Sequence, residues 1–261
     1  MLVRDRGDSW QLVLQPDHAD LSGQFAVAWG GGATAEPSRR AGMVLAATRH
    51  DDGWGVWDRR PGWDPERERP RAFLDVPVPV HLAFYRAAIA AVTNEDPYAG
   101  MMISMHGAGI YTGRYGTQPS LGLSAQAEFR DEVGAFVAEQ EAAYRRISEK
   151  LGIGEDDRWT DYLLLQLYDR LSLYFCLRDA ENGEADTIEP VPTGGGDATF
   201  RLEPVGPWHV RIAPFPFVES PSRFTLVRRV LPRGAYRGNE ELRRDFFELV
   251  PETVAITLEA A

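Results

Sequence analysis

The residues of this chain that are best suited to chemistry are histidines and aspartates spread over its first two thirds. Imidazole and carboxylate groups together form a ligand set that suits iron, manganese or zinc. Four of the chain's five histidines belong to this set. Its members are His18, His50, Asp51, His81, His106 and Asp169. Within such a set Asp51 can bridge two metals, because a carboxylate has two oxygens whereas imidazole offers one nitrogen at a time.

Asp169 is the most informative single residue of the set. It lies in the apolar segment 163–175, with Leu165, Ser172 and Leu173 as its neighbours at helical spacing. An ionised carboxylate on such a face costs several kcal/mol unless a cation or hydrogen bonds compensate for it. The alternatives to a metal ligand are an ion pair with an arginine such as Arg170, or a side chain that points outward.

Each histidine also has an ordinary interpretation. His18 can be a surface or capping residue, and His50 can sit at a helix end, where the helix dipole favours it. His106 is predicted to be buried and to need a partner, and metal is one kind of partner. His81 follows Pro79 near a helix start, where an exposed position is the alternative. Without His81 the site holds one metal; with both His81 and His106, six ligands form a dinuclear site with open positions.

The order of these residues resembles the HD-domain superfamily of helical metalloproteins, over roughly residues 15–178. In that superfamily the first His, the His-Asp pair and a late Asp bind metal, which implies these roles for His18, His50, Asp51 and Asp169. Members with two additional histidines, here His81 and His106, hold two metals. They include myo-inositol oxygenase-like and phosphonate-oxygenase-like di-iron enzymes and some cyclic-dinucleotide phosphodiesterases. The whole chain also resembles a bacterial family labelled a domain of unknown function, which implies no activity.

The resemblance implies a metal-dependent enzyme with a small-molecule substrate. We expect foremost a non-haem di-iron oxygenase that oxidises a small polar substrate, because the two additional histidines suit two metals. Many HD enzymes also carry a lysine soon after the His-Asp pair. Here Asp52-Gly53-Trp54 follows the pair, so a phosphate-binding lysine is absent from that turn, which weakens the case for a phosphohydrolase. The alternative is a phosphohydrolase acting on a phosphoester or nucleotide, since arginine can replace lysine in binding phosphate. A third is a non-catalytic metal-binding sensor.

The cofactors expected are two divalent metals, with iron first and manganese, zinc or nickel as alternatives. Asp52 and Arg114 are the predicted catalytic residues, Arg114 as a contact for a polar or anionic substrate. Asp17, Asp52 and Gln166 are candidates to support the ligands, because they adjoin them in sequence or on a helix. Three tryptophans, Trp54, Trp57 and Trp63, either wall a pocket or cover the core.

Composition excludes several classes of protein. A hydrophobic fraction of 44% and a charged fraction of 26% predict a packed core. The net charge of −11 argues against non-specific nucleic-acid binding. No run approaches the ~20 apolar residues of a membrane span, and the first residues lack the apolar core of a secretory signal. We therefore expect a cytoplasmic protein without nucleic-acid or membrane partners, whose single Cys176 cannot form an internal disulfide. The oligomeric state stays open.

Helical periodicity predicts the elements that must position these side chains. The predicted helices span residues 17–29, 38–49, 80–92, 98–105, 124–151 and 160–178. Strands are predicted at 208–212, 223–230 and 252–258, a short strand or buried lead-in at 10–14, and loops at 55–79 and 181–197. The predicted fold class is mainly α: an HD-domain-like helical bundle at residues 1–180, with a small C-terminal antiparallel β appendage at residues 181–261 packed on it.

Overall fold

The computed structural model of the protein describes residues 1–30, 34–118 and 127–261. The helices of the described residues are α1 (Gln15–Ala28), α2 (Arg40–Arg49), α3 (Gly55–Asp58), α4 (Val78–Glu95), α5 (Pro97–Tyr111), α6 (Arg130–Leu151), α7 (Glu155–Leu177) and α8 (Asn239–Glu248). The strands are β1 (Leu2–Asp5), β2 (Ser9–Val13), β3 (Trp63–Asp64), β4 (Arg69–Pro70), β5 (Asp186–Thr193), β6 (Gly196–Gly206), β7 (His209–Ala213), β8 (Ser222–Pro232) and β9 (Glu252–Ala260). Short 3₁₀ turns occur at Asp52–Trp54, Phe73–Asp75 and Ala127–Phe129.

A seven-stranded mixed sheet corrects the predicted fold class. Its strand order is β1-β2-β8-β9-β7-β6-β5. All neighbouring strands are antiparallel except β7 and β9, which pair in parallel. The expectation of a mainly helical bundle with a small antiparallel appendage is therefore wrong, because the sheet is a substantial layer of the fold. It takes strands from both sides of residue 180, and the predicted division into residues 1–180 and 181–261 stays a prediction.

One strand within the loop predicted at 181–197, and a second strand that begins at the end of it, explain much of the error. Residues 186–206 form β5 and β6, although the sequence there is rich in glycine and proline. Pro190 and Pro192 lie within β5, which is an edge strand of the sheet. An edge strand tolerates proline because only one side of its backbone pairs with a neighbour. The prolines therefore made β5 look like a loop in the sequence.

The other predicted elements agree with the structure to within a few residues for most helices and for β7, β8 and β9. The segment predicted as a loop at 55–79 contains α3 and the two-stranded pair of β3 and β4. The predicted helix 124–151 corresponds to α6, and its predicted start at residue 124 lies outside the described residues. None of the helices in the described ranges is long and apolar enough to cross a membrane.

Helix α7 is the central element of the helical part. From Asp161 to Cys176 almost every side chain is buried. A helix that is apolar on all sides belongs in a protein interior. It packs against α1, α2 and α5 on one side and against β1 and β5 on the other. Asp169 therefore lies in the middle of the fold, close to three other helices.

Two glycines allow the helices that carry the candidate ligands to approach closely. A Cβ atom at Gly23 of α1 would lie 2.0 Å from the Thr48 hydroxyl of α2. A Cβ at Gly109 of α5 would lie 1.9 Å from the Tyr162 hydroxyl of α7. A side chain at either position would push these helices apart. The close contact of α1 with α2 brings His18 next to the end of α2.

Candidate metal centre

Five of the six predicted ligands come together between α1, α2, α5 and α7. His18 lies on α1, the His-Asp pair follows the last residue of α2, and the other two lie on α5 and α7. All five are at most 5% exposed: His18, His50, Asp51, His106 and Asp169. Burying five such groups together is costly unless a cation or hydrogen bonds compensate.

The histidines of α1 and α2 present the same nitrogen to each other. His18 Nδ1 lies 2.6 Å from Ser172 Oγ. That hydroxyl donates its own proton to the Asp169 carbonyl, so Nδ1 is the donor. His50 Nδ1 lies 2.8 Å from the Ala47 carbonyl oxygen, which only accepts. Because both Nδ1 atoms donate, the atom available to a metal is Nε2 in each ring.

Two carboxylate oxygens complete a cluster of four ligand atoms. His18 Nε2 lies 3.1 Å from Asp51 Oδ2 and 3.8 Å from Asp169 Oδ1. His50 Nε2 lies 3.7 Å from each of the same two oxygens. Ligand atoms about 2.1 Å from one metal, at angles of about 90–130°, are about 3.0–3.8 Å apart. The distances made by the two histidine nitrogens are therefore those of ligands to one metal. His18, His50 and Asp169 form one group of ligand atoms within 4.8 Å of one another, and Asp51 belongs to a second group with His50 and His106.

Each carboxylate is held in place by its other oxygen. The Tyr85 hydroxyl donates to Asp51 Oδ1 at 2.8 Å, and Arg114 Nη2 donates to Asp169 Oδ2 at 2.7 Å. Burial raises the pKa of both carboxyl groups. For Asp51 the charges of His50 and His18 outweigh burial, and for Asp169 the charge of Arg114 does, so both pKa values lie below the usual range. Both groups are ionised, which is the form that binds metal.

A proton holds the two histidines together when no metal is bound. His50 Nε2 lies 3.2 Å from His18 Nε2, a hydrogen-bond distance that requires one proton between the two nitrogens. Burial lowers the pKa of His50, but the negative charges of Asp51 and Asp169 outweigh burial and raise it to about 9. A metal that binds at this point has to displace that proton.

His106 presents an N–H group to the cluster and not a lone pair. Arg114 Nη1 lies 2.9 Å from His106 Nδ1. A guanidinium only donates, so Nδ1 accepts and the proton of a neutral ring lies on Nε2. Burial and the charge of Arg114 lower the pKa of His106 well below its usual value, so the ring is neutral. Its Nε2 lies 3.9 Å from Asp51 Oδ1. In this arrangement His106 is suited to donate a hydrogen bond, whereas a metal ligand needs a free Nε2.

Arg114 reaches the centre from a turn that follows α5. Its φ of 54° lies in the left-handed region, which non-glycine residues rarely adopt. Its amide donates to the Gly109 carbonyl at 2.7 Å, and the residue is 8% exposed. Such a conformation costs about 1–3 kcal/mol and persists when surrounding contacts hold it. Here those contacts are with His106 and Asp169, so this predicted catalytic residue lies beside two predicted ligands.

His81 is buried beside the cluster without joining it. Its Nδ1 is hydrogen-bonded to the Tyr111 hydroxyl, and its ring packs against Trp54 and Tyr85. Burial lowers the pKa of His81 to about 4, so the ring is neutral at pH 7. In the described part of the chain, the groups of ligand atoms within 4.8 Å of one another do not include His81. Its role as a ligand stays a prediction.

An open cavity of about 630 Å³ lies beside this side of the centre. His81 and Tyr111 border it, together with residues of the segment from Asp64 to Val78. The same His81 ring packs against Tyr85, whose hydroxyl holds Asp51. The cavity therefore ends one layer of side chains away from the cluster.

The structure places the remaining predicted residues outside the cluster. Asp52 is half-buried, and its carboxylate accepts from Arg49 Nε at 2.6 Å. Among the described residues no hydrogen bond joins Asp52 to a candidate ligand, and its catalytic role stays a prediction. The groups that do support the ligands were missed: Tyr85, Ser172 and the Ala47 carbonyl. The sequence could have predicted Ser172 as a supporting group, because it follows Asp169 by three residues on one helix and so lies on the same face.

The sequence of residues 1–233 matches the family described as "Protein of unknown function (DUF3891)". The matched region covers most of the chain and contains all six predicted ligands. Neither the curated proteins nor the solved structures contain a significant match to this chain.

Proposed function

We propose a metal-dependent phosphohydrolase activity for this chain, which belongs to the DUF3891 family of proteins of unknown function. In this proposal one divalent metal is held by His18, His50, Asp51 and Asp169. The same four residues, in the same order, support a relationship to the HD-domain superfamily. The substrate would be a small phosphoester.

The observation that carries the proposal is the convergence of four oriented ligand atoms. Nε2 of His18 and of His50, one oxygen of Asp51 and one of Asp169 lie 3.1–3.8 Å from one another in the measured pairs. Every one of the four side chains is anchored through its other polar atom. Such outer partners orient metal ligands and fix the histidine tautomers.

Charge favours an anionic substrate at this centre. Two ionised carboxylates, the Arg114 guanidinium and a divalent metal together leave one positive charge. The centre is buried, so this charge acts with little screening by solvent. A phosphoester is an anion whose oxygens accept hydrogen bonds, and the Nε2–H of His106 is a neutral donor beside the cluster.

The division of labour follows from these positions. A divalent metal bound by the four residues would activate water for attack on a phosphoester. Arg114 keeps Asp169 Oδ1 turned toward the histidines and adds positive charge. Tyr85 keeps Asp51 Oδ2 turned toward the histidines through its hydrogen bond to Oδ1. His81 and Tyr111 border the substrate cavity, and their mutual hydrogen bond sets the shape of its inner end.

Metal analysis of the full chain, purified anaerobically without added metal, tests the proposal together with phosphate release from generic phosphoesters. We expect about one divalent metal per chain and hydrolysis that a chelator abolishes. His18→Gln should lose both metal and activity, because one of four ligand atoms is removed. His209→Gln is the matched control, since His209 pairs with Glu259 on the sheet, away from the cluster.

Two results would overturn the proposal. One is a chain that binds no metal even after reconstitution. The other is phosphate release that is unaffected by chelation or by the His18 substitution while both variants remain folded.

A dinuclear oxygenase is the second candidate, and one observation favours it. His50, Asp51 and His106 form a further group of ligand atoms within 4.8 Å of one another, so Asp51 would bridge the first metal to a second one bound by His106. It would require the Arg114 guanidinium to leave His106 Nδ1, because that ring must then donate through Nδ1. About two irons per chain, with oxygen consumption by the reduced protein and no phosphate release, would favour this candidate.

The metal identity remains part of the proposal: iron, manganese, zinc and nickel all accept histidine and carboxylate ligands. A cytoplasmic location is proposed as well, and the single cysteine of the chain supports it.

A further inference from the structure

A second, smaller cavity lies on the other side of Arg71 from the cavity described above. Its volume is about 280 Å³. Arg71 borders both cavities. The smaller one lies between α3, α4 and the start of α8, and it is lined by apolar side chains together with three arginines. None of the chemistry proposed for the metal centre uses it.

The three arginines, Arg60, Arg71 and Arg243, make this cavity unusual in a chain with a net charge of −11. Within the described residues none of the three guanidinium groups has a carboxylate partner; Arg243 Nε donates to the Pro61 carbonyl at 3.0 Å. The lining contains no carboxylate either. By contrast, Arg67 on the larger cavity pairs with Asp75. Three unpaired guanidinium groups around one cavity repel one another, so an anion between them is stabilising.

An aromatic surface lies beside these charges. Trp57 and Phe84 line the cavity, with ring centroids 6.2 Å apart in an edge-to-face arrangement. Val56 on its rim is 64% exposed, which is a high value for a large apolar side chain. The cavity volume is near the lower end of the about 300–1,000 Å³ range of ligand pockets. It therefore has room for one small ring.

The first turn of α8 also borders the cavity. Asn239, the first residue of α8, and Arg243, one turn later, both line the cavity. Free amides at a helix start favour an anion. The acidic residues of this turn do not line the cavity, and Glu241 pairs with Arg237.

From these observations we propose that this arginine pocket (Trp57, Arg60, Arg71, Phe84 and Arg243) binds a small organic anion in which a planar apolar ring carries a phosphate group. Phosphate fits better than carboxylate because its several oxygens and larger charge can engage more than one guanidinium. The ring would lie against Trp57 and Phe84. This inference does not rest on the proposed hydrolase activity.

Binding of phenylphosphonate, which has a ring and the anionic group but no ester to cleave, tests the proposal. Titration calorimetry on the full chain as purified should show saturable binding with a Kd below about 1 mM. Arg71→Ala and Arg243→Ala should each weaken binding about 10- to 100-fold, because each removes a charged hydrogen-bond donor. Trp57→Ala should weaken it about 2- to 10-fold through loss of ring contact.

Matched controls distinguish this pocket from general charge and from the metal centre. Arg59→Ala and Arg244→Ala remove the sequence neighbours of Arg60 and Arg243 that do not line the cavity, and binding should be unchanged. The His18→Gln chain should bind phenylphosphonate normally even if it has lost metal and activity.

The proposal would be overturned by absence of saturable binding up to about 10 mM, or by equal losses in the control arginine variants. Binding that disappears in His18→Gln but survives both pocket arginine substitutions would assign the probe to the metal centre. Equal affinity for inorganic phosphate and phenylphosphonate would show that the ring does not contribute to binding. Equal affinity for benzyl alcohol and phenylphosphonate would show that the anionic group does not contribute.

Discussion

The metal centre and the arginine pocket both concentrate charge, but they do so in opposite environments. In the centre, every charged side chain is buried and has a protein partner at 2.7–3.9 Å. In the pocket, Arg60 and Arg71 are exposed and have no carboxylate partner in the described part of the chain. Water can solvate the pocket when it is empty, whereas the centre has to satisfy its charges internally. Removing one charge should therefore damage the centre far more than the pocket.

The largest effect is expected from Asp169→Ala. The substitution leaves the Arg114 guanidinium buried without its carboxylate partner at 2.7 Å. Loss of one partner of a buried pair typically costs about 3–5 kcal/mol. Urea denaturation with a chelator present measures this loss in the free energy of unfolding apart from any loss of metal.

Glu139→Ala provides the matched surface comparison. The Glu139 carboxylate lies 2.9 Å from Arg86 Nε, and the side chains are 51% and 43% exposed. An exposed pair contributes about 1 kcal/mol or less. Equal destabilisation by the two substitutions would contradict the contrast between buried and exposed charge.

Ser172→Ala should weaken metal binding about 10- to 100-fold, the usual effect of removing a group that orients a ligand. Ser172 accepts the Nδ1 proton of His18 and so keeps Nε2 turned to the cluster. Ser104→Ala is the control, because Ser104 is equally buried but bonds to Gln140 on α6. Competition with a metal-sensitive dye measures both affinities, and equal values for the two variants would show that Ser172 does not orient the ligand.

Metal affinity should rise with pH between pH 6 and pH 8. In the metal-free protein the pKa of His50 is raised to about 9, so the ring holds a proton throughout this range. Binding has to release that proton, and mass action gives about a tenfold gain in affinity for each unit of pH increase. Calorimetry in buffers with different ionisation enthalpies reports the proton directly. An affinity that does not change with pH would argue that His50 is not a ligand.

The smallest of the expected effects is a difference in salt dependence between the arginine pocket and the metal centre. Raising NaCl from about 0.05 M to about 0.5 M should weaken phenylphosphonate binding a few-fold, because exposed charges are screened. Metal occupancy of the buried centre, measured in parallel by elemental analysis, should stay constant. The comparison would fail if occupancy fell as steeply as phosphonate binding.

The sequence predicted the helices and the candidate ligands better than it predicted the sheet. Most of the long helices were predicted because their apolar spacing is local, whereas α8 was missed. The candidate ligands lie on the predicted helices or at their ends. The sheet was underestimated because β1 is short and β5 and β6 contain proline, so their local patterns are weak, and because β2 pairs with β8, which lies far away in sequence. Pairing with a distant strand stabilises a segment that has weak local preference.

Within the candidate site, the sequence could not predict which hydrogen-bond partner each histidine ring nitrogen has. His106 and His18 are both buried histidines on helices, and nothing in their local sequence separates them. The separation arises because His18 Nδ1 meets a hydroxyl, while His106 Nδ1 meets the guanidinium of Arg114. That guanidinium reaches the centre through a left-handed turn that local propensity does not predict.

The available side chains and the helices that carry them follow from the amino-acid sequence, because helical spacing and the order His18, His50-Asp51, Asp169 are properties of the chain alone. Which of them face one point, and which ring nitrogen each histidine presents, depends on the three-dimensional packing, as does the placement of three arginines from separate segments around one cavity. A ligand geometry of about 3–4 Å requires that helices and loops approach one another to a definite distance. That approach is set by packing between segments that are distant along the chain.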